Sequence, residues 1–291
     1  MNDTLQRFIF EGSPIRGEVA HLDATWRAVL ERHDYPPGLR NILGELMAAG
    51  ALIAATLKFD GSIILQMQGE GPVQLVVVEC TSEQTLRATA KWTGALDDNA
   101  TLGALLGAGR FVITLAPGEG KQTYQGIVEI DPSGVAASLE HYMQTSEQLD
   151  TRLWLAADHS RAAGLLLQKL PAQDDPDEDS WNRATQLAAT LSAPELLALP
   201  ARTLLHRLYH QEDIRLFEPR PVSFRCSCTS ERVDSMLRML GHAEVRSILD
   251  ERDTIEVKCE FCNRAYRYDT VDAEQLFAAT VRVAPTLGGY H

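Results

Sequence analysis

The chain has 291 residues, enough for one large domain with a small one, or for two medium domains. Hydrophobic residues make up 45% and charged residues 23%, the balance of an ordinary globular protein. The formal net charge of −13 opposes non-specific attraction to nucleic acid and to anionic lipid, so neither is expected as a partner.

The start of the chain has no basic segment followed by an apolar core and a cleavage site, so no secretory signal is predicted. The longest apolar run, residues 46–57, is bracketed by Glu45 and Lys58 and predicts a buried helix too short to cross a bilayer. We therefore expect a cytoplasmic protein with no membrane partner. Thiols are kept reduced in that compartment, so paired cysteines there favour metal or redox chemistry over structural disulfides.

Residues 1–171 are predicted to form an α+β core, because strand-like and helix-like patterns mix without the regular alternation of a doubly wound sheet. The predicted helices cover residues 25–33, 39–57 and 135–148. The predicted strands cover residues 5–10, 15–21, 62–68, 73–80, 86–92, 110–115, 122–130, 152–156 and 165–170.

Residues 172–225 are predicted to form a helical middle linker. An acidic stretch at 173–179 opens it, a capping box of Ser192 and Glu195 starts one helix, and a second helix covers 201–210. Prolines at 200, 219 and 221 keep these pieces short. Short helices need tertiary support in water, which favours a metastable segment, although many ordinary connecting regions have the same pattern.

Residues 226–291 are predicted to form a small C-terminal domain. Thr229 or Ser230 can cap a helix that Gly241 ends, and a second short helix is predicted over 243–249. Strands at 255–258 and 265–268 flank a cysteine turn, and a final helix is predicted over 273–280.

Four cysteines carry the chemistry of this domain. Cys226 and Cys228 form a CxC pair, and Cys259 and Cys262 form a CxxC pair thirty residues further on. Four thiolates in two close pairs suit the tetrahedral preference of zinc, since one turn can present each pair. The sequence therefore predicts one zinc per chain in the reduced state.

Other uses of these cysteines stay open at this point. A passive four-thiolate zinc module is the plainest alternative. A hydrolytic zinc centre would keep a coordination position for water and use ligands such as His242, and iron–sulfur clusters use other cysteine spacings.

A zinc-ribbon nucleic-acid-binding protein is normally basic, whereas residues 226–275 hold 7 basic and 11 acidic residues. A disulfide oxidoreductase would place its CxxC motif beside a βαβ pattern, which is absent here. No catalytic motif was found, so the protein is not expected to be an enzyme. Cys80 ends an apolar strand and is predicted to be a buried small side chain rather than a nucleophile.

The cysteine pattern, placed after an acidic linker on a chain of this length, resembles the redox-regulated heat-shock chaperone family of thirty-three kilodaltons. The N-terminal part carries the same resemblance in four short motifs, which together extend it over nearly the whole chain. They are Ile15-Arg16-Gly17-Glu18, with Ile15 for the family's Val, Gly69-Glu70-Gly71-Pro72, Tyr124-Gln125-Gly126-Ile127-Val128, and Tyr142 with Ser146-Glu147-Gln148, in which Thr145 replaces a family Gln.

The resemblance implies a stress-response chaperone that is inactive when reduced and zinc-bound. Oxidation would form the disulfides Cys226–Cys228 and Cys259–Cys262 with loss of zinc, and the linker and zinc domain would unfold. The exposed apolar surface would hold unfolding client proteins without ATP, as a holdase. The resemblance also implies a homodimer when oxidised, and transfer of clients to ATP-dependent foldase chaperones.

The chemistry of the cysteines makes such a switch plausible. Zinc contributes roughly 10–16 kcal/mol to small metal-folded modules, so a domain of this size depends on its metal. We expect linker opening to expose a set of apolar side chains, namely Leu196, Leu197, Leu199, Leu204, Leu205, Leu208 and Tyr209.

Overall fold

The structure is a computed structural model that describes residues 3–118, 121–171, 177 and 179–278. The acidic stretch predicted at 173–179 lies mostly outside the described residues, as does the end of the predicted final helix. The chain divides into two compact units, Met1–Arg225 and Cys226–His291.

The first unit contains two six-stranded sheets with mixed helices, which confirms the α+β prediction. The first sheet has the order β10-β1-β2-β9-β8, with β11 also paired to β1, and the second has the order β12-β5-β4-β3-β6-β7. All pairs are antiparallel except β12 with β5. The strands are β1 Thr4–Phe10, β2 Ile15–Leu22, β3 Gly61–Gly69, β4 Val73–Thr81, β5 Thr85–Trp92, β6 Gly109–Pro117, β7 Tyr124–Glu129, β8 Thr151–Ala157, β9 Ala162–Lys169, β10 Ile214–Leu216, β11 Arg220–Pro221 and β12 Ser223–Phe224.

Seven helices are described in this unit: α1 Ala24–Leu30, α2 Pro37–Thr56, α3 Leu102–Leu106, α4 Val135–Thr145, α5 Ser180–Ala188, α6 Ala193–Ala198 and α7 Ala201–Tyr209. Helix α2 contacts strands of both sheets and fills the main core with its nearly continuous apolar surface. It is long and apolar enough to cross a membrane by length and composition, but 78% of that span is buried inside the protein, as in a core helix.

Two glycines of the family-like motifs, Gly17 and Gly126, make room for aromatic rings. A Cβ at Gly17 would lie 2.1 Å from the Phe8 ring, and a Cβ at Gly126 would lie 2.4 Å from the Tyr142 ring. The Tyr142 hydroxyl then donates a 2.6 Å hydrogen bond to Glu147. These motifs therefore fix the packing of the core.

The segment before Cys226 folds against the first sheet. Because side chains alternate along a strand, β1, β2 and β9 present one face to α2 and the opposite face to helices α5, α6 and α7. The second interface buries, from the sheet, Phe8, Phe10, Ile15, Val19, Leu165 and Leu167, and, from the helices, Ala184, Ala188, Leu196, Ala201, Leu204, Leu205, Leu208 and Tyr209.

The segment differs from the predicted helical linker in two respects. Helix α5 had no predicted bounds, and the stretch after α7 forms three short strands that were not predicted from the sequence. These strands join the segment to both sheets, since β10 and β11 pair with β1 and β12 pairs with β5. The capping box is confirmed: the Ser192 backbone N–H and hydroxyl both donate to Glu195, at 3.1 and 2.7 Å.

One buried and one partly exposed side chain, His21 and Arg161, hold the C-terminal end of α6. His21, which is 4% exposed, lies 3.1 Å through Nε2 from the Leu196 carbonyl. Arg161 donates to the Leu197 carbonyl at 3.2 Å and lies 3.6 Å from the buried Asp23 carboxylate. Cationic and N–H groups suit this position because the last carbonyls of a helix have no partner within it.

The second unit has a small core of its own. It contains helices α8 Ser230–Leu240, α9 His242–Glu251 and α10 Thr270–Ala278 and the hairpin β13 Ile255–Lys258 with β14 Ala265–Tyr268. Eight buried side chains make up its core: Val233, Leu237, Val245, Leu249, Ile255, Tyr268, Ala273 and Leu276. A core of this size provides little stability, so a cross-link such as a metal would contribute much of it.

Candidate metal centre

Two turns present the four cysteines. Cys226 and Cys228 lie between β12 and Thr229, whose side chain accepts from the Arg232 N–H and caps α8. Cys259 and Cys262 lie in the turn between β13 and β14.

Two backbone hydrogen bonds close this second turn. The Cys259 N–H donates to the Arg264 carbonyl at 2.9 Å, and the Asn263 N–H donates to the Cys259 carbonyl at 2.8 Å. Asn263 has φ 61°, a left-handed conformation that asparagine tolerates well.

The four sulfur atoms lie within 4.8 Å of one another. The Cys226 and Cys259 sulfurs are 3.6 Å apart, and the Cys228 and Cys262 sulfurs are 3.3 Å apart. A tetrahedron with Zn–S bonds of about 2.3 Å has edges of about 3.8 Å, so the cluster matches the size of a four-thiolate zinc site. The residues could therefore hold a metal ion.

The thiols influence one another's ionisation. Burial opposes ionisation of Cys228, but hydrogen bonds from Tyr266 and from the other cysteines lower its pKa to about 7. Burial raises the pKa of Cys262 to about 12, and it also raises the pKa of Cys259. The Cys228 thiol thus ionises readily, whereas its neighbours Cys259 and Cys262 resist ionisation. A bound cation would be needed to hold all four as thiolates.

The other sequence candidates lie apart from this cluster. Cys80 is fully buried, as predicted, and burial raises the pKa of its thiol to about 12. His242, the ligand named for a hydrolytic zinc centre, is the first residue of α9, and its Nε2 lies 3.3 Å from Glu274 on α10. Sequence reasoning missed Tyr266, since nothing in the spacing of an aromatic residue indicates that it lowers the pKa of a thiol.

Comparisons with known proteins all match the same family over nearly the whole chain. The family described as Hsp33 protein matches residues 3–269. A 33 kDa chaperonin of Methylobacillus flagellatus is 52% identical over 283 residues, covering 97% of this chain and 96% of the relative. A 33 kDa chaperonin of Chromobacterium violaceum is 51% identical over 278 residues, covering 95% and 94%. The crystal structure of an Hsp33 homologue from Thermotoga maritima has a TM-score of 0.83 at 19% identity, covering 96% of this chain and 99% of that one.

Proposed function

Because the chain belongs to the Hsp33 family of chaperones, we propose that it is an ATP-independent holdase, inactive when reduced and zinc-bound and activated by oxidation. The observation that carries the proposal is the cluster of four thiols, which begins one residue after Arg225. The Arg225 N–H still donates to the Leu86 carbonyl of the second sheet, at 3.0 Å. The redox centre thus follows directly on the segment that covers an apolar sheet face.

Cys226, Cys228, Cys259 and Cys262 would hold one zinc per chain. Zinc bound there keeps the sulfurs ionised, and thiolates are the form that oxidants attack. Formation of each disulfide removes two electrons from a pair of thiolates. A peroxide accepts these electrons together with two protons from solvent, and is reduced to two waters or, for an alkyl hydroperoxide, to an alcohol and water. The oxidised sulfurs no longer serve as ligands, so the second unit loses the cross-link that its small core requires.

We place the disulfides within the pairs, as Cys226–Cys228 and Cys259–Cys262, on the family resemblance. Two short sulfur–sulfur distances, 3.6 and 3.3 Å, join the two turns instead, as expected around a shared metal. Once the ligands are lost the turns separate, while partners within a turn stay at high effective concentration. Peptide mapping of the oxidised protein by mass spectrometry distinguishes the two pairings.

We assign residues 1–171 to the core, 172–225 to the linker and 226–291 to the zinc domain. In the active state the described part of the linker, 179–225, would leave its place on the first sheet. Opening would expose the helix side chains together with the sheet face they cover, which includes Phe8, Phe10 and Val19. This apolar surface would hold unfolding clients. We further propose a cytoplasmic protein that dimerises when oxidised and transfers clients to ATP-dependent chaperones.

The central test measures zinc content and client aggregation on one sample before and after peroxide treatment, without nucleotide. We expect one zinc per chain and weak suppression of aggregation in the reduced sample, and no zinc and strong suppression in the oxidised one. Changing all four clustered cysteines to serine should abolish zinc binding, whereas Cys80→Ala should not. Equal suppression before and after oxidation would make the zinc centre a passive structural one.

The docked segment should also respond to acid through His21. Burial lowers the pKa of His21 below its ordinary value. Hydrogen bonds to the Leu196 and Leu199 carbonyls, and the negative charge of Asp23 nearby, oppose this shift. The docked state therefore keeps its full stability above the ordinary histidine pKa. It loses stability as the pH falls below that value, because His21 binds the proton more tightly once the segment no longer covers it.

Acid should therefore favour opening, and the equilibrium constant for opening should rise by at most about tenfold for each pH unit. Glu45 has the opposite effect on the pH dependence. It lines a cavity that α6 also helps to line, and burial there raises the pKa of its carboxyl to about 7. Through this group, acid stabilises the docked state. His21→Gln, which keeps an N–H donor but cannot titrate, isolates the histidine contribution. Hydrogen exchange of α6 at pH 7.5 and 5.5 should show a larger acid increase in the wild type than in His21→Gln, and equal increases would refute the prediction.

A further inference from the structure

Two histidines lie next to each other on the exposed side of α7. His206 and His210 are four residues apart, and residues with this spacing are neighbours on the surface of a helix. Their ring centroids are 6.1 Å apart, and the ring planes are inclined by 36°. His210 is the C-cap of α7 and has φ −63° and ψ −14°, so the helical spacing extends to it. The two imidazoles therefore lie on the same side of the helix.

This spacing suits a metal ion. Imidazole is the commonest metal ligand in proteins, and two histidines at i and i+4 on one helix face can bind a single ion together. With metal–nitrogen bonds of about 2.1 Å, the two ring centroids would lie roughly 5 Å apart. The observed separation is slightly larger. Both side chains are exposed, and exposed side chains change rotamer readily, so a rotation of the rings closes the difference.

The histidines border a cavity that also contains acidic groups. The cavity has a volume of about 270 Å³, and Arg202, Glu212 and Asp213 are among its other lining residues. The chain turns back after α7, where the Glu212 N–H donates to the Tyr209 carbonyl at 3.0 Å. This turn places two carboxylates alongside the imidazoles, and their negative charge offsets the positive charge of Arg202.

The two carboxylates differ in how they are held. Glu212 lies 2.6 Å from the Arg183 guanidinium and is engaged there. Asp213 is exposed, and its backbone carbonyl accepts from the Glu11 N–H at 2.9 Å, which fixes its main chain beside the end of β1. Asp213 is therefore the better third ligand. Two imidazoles and a carboxylate suit zinc, nickel and copper more than magnesium or calcium.

We propose that His206 and His210, with Asp213, form a second metal site, which binds a divalent transition cation more weakly than the four cysteines bind zinc. A cation bound to both rings fixes the last turn of α7 as a helix. Because α7 packs Leu204 and Leu208 against the first sheet, a metal that binds only the helical form also favours the docked segment. The effect on docking rests on the proposed function, whereas the binding site does not.

Nickel titration of the untagged, reduced chain tests the site, after zinc has filled the cysteine centre and excess metal has been removed. Calorimetry should show one further equivalent of nickel per chain. His206→Gln and His210→Gln should each weaken nickel binding by at least about tenfold, the smallest effect typical of losing even a residue that only contacts a metal ligand. Asp213→Asn should weaken it as well. His141→Gln is the matched control, because it removes an exposed histidine from another helix, α4.

Hydrogen exchange of the same samples tests the consequence for α7. Nickel should slow exchange in α7 of the wild type and leave His206→Gln unchanged. Unaltered exchange in nickel-bound wild type would overturn the effect on docking. Absence of a further nickel equivalent, or equal weakening by His141→Gln, would overturn the site itself, and wild-type affinity in Asp213→Asn would remove the third ligand. Zinc content, measured separately, shows whether the cysteine centre of the proposed function fails instead.

Discussion

Replacing Leu204 by aspartate is expected to make the reduced, zinc-bound protein suppress client aggregation nearly as well as the oxidised wild type. Leu204 is 0% exposed and lies in α7 within the interface between the helices and the first sheet. A carboxylate there must either stay buried without a partner, at a cost of several kcal/mol, or be released into water with the helix. Opening would then no longer require loss of the metal.

Light scattering of a chemically unfolded client, measured under reducing conditions, checks this result. Thr203→Asp is the matched control, because it adds the same charge to an exposed position of the same helix. Zinc content should stay at one per chain in both variants. If reduced Leu204→Asp exposes the segment, as judged by proteolysis, yet holds no client, then the surface freed by opening is not the client-binding surface.

The sequence predicts the parts of the fold that have a clear local pattern. The strands near residues 5–10 and 15–21 and the long helix near 39–57 are confirmed, because alternation and a continuous apolar run identify them without tertiary context. Strands β10, β11 and β12 have two or three residues each, too few to show a period, and β11 contains Pro221. Their pairing depends on neighbours more than a hundred residues away in the sequence.

The metal centre, like the fold, is predictable only where its sequence pattern is local. The spacing of the cysteines predicts the cluster because each pair occupies one local turn. Contacts that join distant segments have no such signal: His21 and Leu196 are 175 residues apart, and the bond between Tyr268 and Asp234 spans 34 residues. A side chain that holds a helix end, or that fixes a strand against a helix, is therefore visible only once the chain is folded.

Oxidation is expected to remove hydrogen-exchange protection from the segment 179–225 and from the second unit, while the two sheets around α2 keep theirs. Helices α5, α6 and α7 have nine, six and nine residues, too short to persist without the sheet face they cover. Strand β12 has two residues and ends just before the cysteines, so it should be the first part of the segment to fray. The core around α2 has a much larger set of buried contacts.

Exchange measured by mass spectrometry on reduced, chelator-stripped and oxidised samples separates the role of the metal from that of the disulfides. If metal loss is the cause, the chelator-stripped sample should lose protection in the same regions while its thiols remain reduced. Leu204 and Leu208 in α7 should become exchange-competent together, because one interface buries both. Protection that survives oxidation in 179–225, with loosening of β3 or α2 instead, would place the client-binding surface in the core and not under the linker helices.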